Sequence, residues 1–587
     1  MRYNYRLRLF RDLVRIAAVP SVSLYIIANV ADIHFGLLAF PAYLAFAAVW
    51  AYAAALYTDL AQDREARRLG ARQIPRVVGK WPGNIDVLLQ LLEASPKSYI
   101  SMFQLALFEK YQSTTINLRL LWQDWIISMD SEHQKYVLTT GFNHFHKGVG
   151  PKERMEKFLG DGIFNRDDDL WKAHRAIARP FFARDRISDF GLFERYTSAT
   201  LSLIFSITSS GQPVEVQDIF ARFTLDASSE FLFGTNMDTL SGKLPIPGKT
   251  KMSPMGSATD DEFGGFSSAF ETLQAIVSKR IKRGKLLWPI AELLHDSMNP
   301  HVKVIHEYVD PLVQRALENR RSMEKAGVQS SPEQSTFLEY LAGNTEGRRV
   351  IRDQLLNILI AARDTTAQLL TYIVYFLATQ PEIAKKLRTE VLGHCGADGP
   401  PTVEAIKAMK YMRAVIHETL RLFPPVPANA RESRSTACLL PKADGTYPSM
   451  PESLYMPPET SFTYYPILMQ RNPALWGPDA DIFDPERWLD ERAARYTSNP
   501  MIYVPFSAGP RICIGQNYAY NEASCFLTRM LQQFDSFTLA PEVQPEGSLP
   551  LPEWKSGKGR QTFEKLWPSN TLTLYVKGGL WVHFHRA

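Results

Sequence analysis

Cysteine is scarce, with four in 587 residues (Cys395, Cys438, Cys513 and Cys525) and no Cys-x-x-Cys pair. This excludes a disulfide framework and points to a reducing, cytosol-facing setting for the folded part. Histidine is sparse too. His144 with His146, and His583 with His585, lack a third ligand at metal spacing and read as ordinary side chains. No Gly-rich fingerprint for a flavin or nicotinamide occurs in the chain. Excess charge of one sign is also missing: 66 Lys and Arg face 61 Asp and Glu, and the net +5 is scattered, so nothing points to nucleic acid. A 45% hydrophobic and 22% charged composition is that of a globular chain long enough for a large core.

Long uncharged runs, by contrast, are present. Gly36 to Thr58 carries no charge and is long enough to cross a hydrocarbon core of roughly 30 Å. Ile16 to Ala31 is also uncharged but shorter, and Pro20 interrupts it. Arginines at 2, 6, 8, 11 and 15 precede the pair, and Arg64, Arg67, Arg68, Arg72, Arg76 and Lys80 follow it. The link Asp32-Ile-His-Phe35 has neither Lys nor Arg. The charge asymmetry favours a hairpin of two spans over a single span preceded by an interfacial run. The expected organisation is an anchor over residues 1–72 (spans 16–31 and 36–58), a Pro- and Gly-rich linker over 73–85, and a folded part over 86–587.

The stretch with the densest chemistry is Phe506-Ser-Ala-Gly-Pro-Arg-Ile-Cys-Ile-Gly515, a turn-rich loop ahead of an apolar, aromatic-rich helix pattern. Cys513 there meets backbone N–H groups and the positive end of a helix, which favour thiolate. Gly509 and Gly515 permit close approach of a flat ligand, and Arg511 is placed to meet a carboxylate. Earlier, Trp171 and Arg175 share a helix face four residues apart, behind the acidic start Asp167-Asp-Asp, and form a candidate clamp for a carboxylate. Arg349 to Gln380 lacks Gly and Pro and stops before Pro381, predicting a core helix of about 45 Å. Arg363-Asp364-Thr365-Thr366 lies in its middle, where polar groups are costly unless paired or working. Thr365 can bond the Ala361 carbonyl and make room for a water, and an acid beside an alcohol can deliver protons to dioxygen as its O–O bond breaks.

Phe506-x-x-Gly509-x-Arg511-x-Cys513-x-Gly515 resembles the haem loop of the cytochrome P-450 family in every defining position. Ala361-Ala362-Arg363-Asp364-Thr365-Thr366 resembles that family's oxygen-binding motif, departing only at Ala362, where glycine is usual. The resemblance implies a mainly α fold with small β-sheets (α+β), haem b held by the Cys513 thiolate, and propionate contacts from Trp171, Arg175 and Arg431. It implies a structural ion triad of Glu418, Arg421 and Arg487 that braces the haem loop, with Asp364 and Thr365 managing protons. NADPH electrons would arrive through a separate flavoprotein reductase. The expected setting is the endoplasmic reticulum membrane with the catalytic part in the cytosol, acting on a lipophilic small molecule. Gly79-Lys-Trp-Pro-Gly-Asn-Ile85 and Gly162-Ile-Phe-Asn165 look like fungal members that hydroxylate alkanes and fatty acids. Oxidation of aromatic xenobiotics, a haem-thiolate isomerase or dehydratase without a reductase, and a non-enzymatic haem sensor are the alternatives.

Three further expectations follow from composition and pattern. Ser241 to Ser267 reads as an exposed insertion. Lys279, Arg280, Lys282, Arg283 and Lys285 read as a solvated or lipid-facing basic face. Leu572–Val576 and Leu580–Phe584 read as a hairpin around Lys577-Gly578-Gly579, its tip near the substrate.

Overall fold

The computed structural model describes residues 4–587 except 95, 184–186, 188–189, 254, 259–261, 327–334, 346 and 448–451. Helix α1 (Tyr5–Leu13) passes through a π-helical turn at Val14–Ala18 into α2 (Val19–Val30). Pro20 lies just past that turn in a continuous helix, where it cannot donate to the preceding turn, and the π-helical break at Val14–Ala18 adjoins it. A short turn leads into α3 (Ala39–Arg68), which packs back along α2 as a hairpin. Tyr5–Val30 and Gly36–Arg68 are both long and apolar enough to cross a membrane. At 30 residues α3 is about 45 Å long, so its charged last turns, from Asp59, extend past a hydrocarbon core of about 30 Å.

The segment expected to be a stiff, irregular linker packs against the folded part. Arg72 and Gln73 pair in parallel with Leu454 and Tyr455, and Ile74 and Val77 are buried.

The remaining chain is helical around one long axis, α8 (Arg348–Thr379), whose apolar residues are buried on all sides. It ends where Pro381 takes Gln380 out of the helical region, to φ −136° and ψ 78°. The helices that position the site are α4 (Asp168–Ala178), α5 (Val216–Phe233), α6 (Glu262–Lys282), α7 (Gly284–Ala291), α9 (Lys410–Leu422) and α10 (Gln516–Gln533). Helix α5 lies against α8, and Thr224 of α5 donates a hydrogen bond to the Arg363 carbonyl at 2.9 Å. A five-stranded sheet flanks the helices in the order Thr115–Asn117, Trp125–Ser128, Ser461–Tyr464, Asn429–Ser433, Phe145–His146.

Three expectations are corrected. The C-terminal segments do not form a hairpin with one another. Leu574–Val576 pairs with Pro568–Asn570, whereas Trp581–Arg586 pairs with Phe534–Leu539 and Val214–Glu215. Gly578 and Gly579, both at positive φ, turn the chain, and ring contacts of Phe584 with Phe534 and Phe537 draw the last strand to the other sheet. The insertion is not an exposed loop throughout: Met255 to Ala258 are buried, held by Gln217 on the Met255 carbonyl and by Asp218 on the Ala258 N–H. Residues 254 and 259–261 of it lie outside those described. Nor is the basic run uniformly solvated. Arg280 is buried, bonds Glu292 and Asp296, and lies over the Trp288 ring.

Candidate active site

The loop 506–515 wraps one end of a cavity of about 1420 Å³. Gly509 stands at φ +67°, and a Cβ there would come 1.9 Å from the Leu138 carbonyl oxygen, so only glycine fits. The Cys513 N–H donates to the Phe506 carbonyl at 2.9 Å, closing the loop two residues before the cap of α10. This presents the Cys513 thiol to the cavity. Burial pushes that thiol up from its ordinary value, only partly offset by the Gly515 N–H and by Arg175. The Gly515 N–H and Arg175 favour the thiolate, as the loop's chemistry leads one to expect, and a metal bound at sulfur removes the proton outright.

The structure brings together the three residues of the expected triad. Arg421 of α9 bonds Glu418 through Nε (2.8 Å) and Nη2 (2.7 Å), and Arg487 Nε reaches Glu418 at 3.4 Å. Trp488 Nε1 and the Asp484 N–H also donate to Glu418, and Asp479 takes the far side of Arg487. All three residues of the triad are at most 1% exposed. Burial alone would raise the Glu418 carboxyl, but the two guanidinium groups hold it below the usual range.

Around the cavity rim the predicted cations come together, with partners that spacing did not disclose. Trp171 and Arg175 both line the wall. The Arg175 guanidinium donates to the Ile512 carbonyl at 2.8 Å, while Trp171 lies under Arg511, 4.3 Å from guanidinium carbon to ring centroid. Arg511 takes Asp167 as its carboxylate, at 2.7 Å. Asp167 also accepts from Lys152 at 2.5 Å and from the Lys147 N–H. Burial would raise Asp167, but these donors hold it below its ordinary value. The acidic start of α4 thus anchors Arg511 as well as facing the helix end. Burial and the nearby Arg431 draw Arg511 down to about 10.

Arg431, on strand Asn429–Ser433, is buried, and its Nε has no partner; Nη1 reaches only the Ala430 carbonyl and Asn429. Lys147, which sequence reasoning missed, lines the same wall and is pushed well down by burial and by Arg431 and Arg511. Its only sequence signal is a position just past His146. Among the described residues Lys147, Arg175 and Arg431 make no ion pair. Three unpaired cations and an orphaned buried N–H facing a cavity with a thiol at its floor suit a flat, metal-bearing ligand with two carboxylates. Haem fits these residues.

Over the thiol runs α8. Thr365 Oγ1 donates to the Ala361 carbonyl at 2.6 Å, and Ala361, Ala362, Thr365 and Thr366 line the cavity. Asp364 does not line it. Its carboxylate accepts from Arg363 Nη1 (3.1 Å) and Gln274 (2.7 Å), and Arg363 Nη2 also meets Glu271 at 3.1 Å. Burial raises the Asp364 carboxyl despite Arg363. The residue expected at the proton step is therefore locked into an ionic cluster behind the wall. Gln274 and Glu271, both on α6, had no sequence signal, being 90 or more residues away.

The cavity continues outward past Leu369, Ile360 and Phe103 to reach α3 at Tyr57, Thr58, Ala61 and Gln62, and the α6–α7 junction at Ile281–Leu286. The segment 567–573, rather than the turn at Lys577–Gly579, closes one side.

A family model described as Cytochrome P-450 matches residues 80–561. The chain is 35% identical over 481 residues to a cytochrome P-450 monooxygenase of a Fusarium species, covering 80% of each chain. It is 34% identical over 496 residues to Cytochrome P-450 52-E3 of Starmerella bombicola, covering 83% of this chain and 90% of that one. With Cytochrome P-450 52A1 of Candida tropicalis it shares 33% identity over 495 residues, covering 81% and 86%.

Proposed function

This chain belongs to the cytochrome P-450 family, and we propose that it hydroxylates long aliphatic substrates, alkanes or fatty acids, drawn from a membrane. The enzyme is a haem-thiolate monooxygenase acting on a lipophilic substrate. When bound, the haem supplies activation of dioxygen and insertion of one oxygen atom into the substrate. Cys513 would hold it at sulfur, with Phe506, Gly509 and Gly515 shaping the loop around that sulfur. Arg431, Arg175, Lys147 and Trp171 would hold its carboxylates, and Arg511, stacked over the ring, would brace Trp171.

The chain's own contribution to the reaction is positioning and proton handling. The Thr365 hydroxyl, at the cavity wall, keeps the Ala361 carbonyl occupied and leaves a hydroxyl oxygen free to accept from a water. Asp364 recharges that site by exchanging Arg363 for a water at the wall. Burial raises its affinity for protons against the pull of Arg363 and Gln274. Glu418, Arg421 and Arg487 act only by holding the Cys513 loop in place.

The observation that carries the substrate class is the cavity. Its wall runs from Cys513 to the membrane helix α3, a path suited to a long, flexible, apolar molecule. Electrons from NADPH through a separate reductase, and an endoplasmic reticulum location with the catalytic part in the cytosol, belong to the same reading. Membrane anchoring is supported by the two apolar helices. The test is turnover of the full chain in membranes with reductase, NADPH and labelled dioxygen, over a panel of alkanes, fatty acids and polycyclic aromatics. One label near an aliphatic chain end is expected. Label in aromatic products alone overturns the substrate class, and product that forms without NADPH and without label moves the reaction to isomerisation.

A further inference from the structure

The helix Val149–Leu159 carries five charged side chains, and four of them have an ionic partner. Lys152 meets Asp167 at 2.5 Å, Glu153 meets Arg8 at 2.7 Å, Glu156 meets Arg166 at 2.9 Å and Lys157 meets Asp296 at 2.9 Å. Arg154 is the exception. Its Nε is sealed from solvent without a hydrogen-bond partner, and among the described residues its guanidinium makes no ion pair. The side chain lines the cavity. The Arg154 carbonyl accepts from Arg280 Nη1 at 3.0 Å, which sets this residue against α6.

Hydrocarbon surrounds this cation. Met155, Leu159, Ile163, Ile281 and Ile358 line the cavity with it and belong to one packed apolar cluster. The two carboxylates whose charge reaches Arg154 are turned elsewhere, Glu153 to Arg8 and Glu432 to His146 at 3.7 Å. Burial and the like charge of Arg8 draw the guanidinium down to about 10, so it stays cationic at neutral pH. A cation held in an apolar wall without a counter-ion costs free energy that an incoming anion recovers. The planar fork of a guanidinium suits a carboxylate, and the wall beside it suits an aliphatic body. Lys147, Arg175 and Arg431 serve the two carboxylates of the haem in the reading above, which leaves Arg154 for another anion.

We propose that Arg154 anchors the carboxylate of the substrate, so that this chain takes ionised long-chain fatty acids ahead of alkanes of the same length. The inference deepens the aliphatic-hydroxylase reading above and rests on it. It also gives the substrate a direction. Arg154 lies beside α6, whereas Cys513 lies at the end of the cavity that the loop 506–515 wraps. A molecule held by its head at Arg154 therefore presents its aliphatic chain, and not its carboxylate, to the thiol end.

The test is spectral titration of the full-length holoenzyme in phosphatidylcholine nanodiscs with laurate, methyl laurate and dodecane, comparing the parent with Arg154→Gln and Arg154→Met. Both variants remove an unpaired charge and leave none behind, so both are expected to fold, and the methionine variant carries the test if the glutamine variant does not load haem. Each is expected to weaken laurate about tenfold or more, as for a lost charged hydrogen bond, and to change methyl laurate and dodecane by less than about twofold. Laurate binding equal to the parent overturns the anchor. So does equal weakening of all three probes, which marks a repacked wall. Haem transfer to apo-globin faster than in the parent would put Arg154 on the haem's own carboxylates and overturns the proposal as well. A parent that binds dodecane but not laurate loses the anchor and keeps the aliphatic reading. A haem-loaded parent that binds none of the three loses both.

Discussion

Arg363 and Asp364 are neighbours in the chain and partners in space, with Nη1 3.1 Å from Oδ1, and this contact turns the carboxylate out of the cavity that Thr365 enters. The acid and the alcohol of one motif therefore begin on opposite sides of the wall.

Proton handling then depends on release of that pair. Asp364→Asn is expected to lower kcat by about 10² or more. Thr365→Ala should keep most electron consumption but divert it from product. Stopped-flow turnover with parallel NADPH and product assays checks both. Equal coupling of NADPH to product in Thr365→Ala would remove that hydroxyl from the proton step.

The ion triad should govern stability rather than chemistry. Glu418→Ala strands the fully buried Arg421 and leaves Arg487 with Asp479 alone, and is expected to cost about 3–5 kcal/mol. Denaturant melts and the fraction of carbon monoxide-competent haem measure it. The surviving haem-loaded fraction should turn over at close to the parental rate.

Haem retention should respond to a residue outside the familiar motif. Lys147→Ala and Arg431→Ala are each expected to speed haem transfer to a scavenging apo-globin, by about tenfold for a lost charged hydrogen bond of about 1.5–3 kcal/mol partly replaced by water. Arg175→Ala should behave likewise. Lys172→Ala, an exposed residue on the same helix, serves as the control.

Glu522 of α10 sets a pH dependence of folding. It is fully buried, neither carboxylate oxygen has a hydrogen-bond partner, and burial pushes it up to about 8 despite the nearby Thr366 hydroxyl. Tyr518, one turn earlier, also has an unpartnered hydroxyl and offers no cation. Between the unfolded value of 4.5 and about 8 the folded chain holds a proton that the unfolded chain has lost. Stability from this group is therefore full below 4.5 and falls as pH rises through that window, by up to about 1.4 kcal/mol per unit. Glu522→Gln should remove this slope, so its gain in Tm over the parent grows from acid to pH 8. A pH-independent difference would show that the carboxyl is already ionised and solvated.

What sequence alone determined is whatever a short stretch of chain settles by its own chemistry. The Cys513 loop needs glycine at 509 because of its positive φ. The helix around Thr365 runs until Pro381 stops it, and Thr365 reaches the carbonyl four residues back because helix geometry puts it there. Glu418 and Arg421 meet at i, i+3 for the same reason. Uncharged runs likewise announce two membrane-length helices. Tertiary structure decided the partners of charges that meet across long separations. Asp167 went to Arg511 rather than only to its own helix end, Arg280 to Glu292 under Trp288, Asp364 to Gln274, and Arg8 to Glu153 across 145 residues. It likewise sent Trp581–Arg586 away from its neighbour to pair with Phe534–Leu539. A buried charge or a strand edge takes the partner that packing brings within reach, and sequence spacing carries no record of that distance.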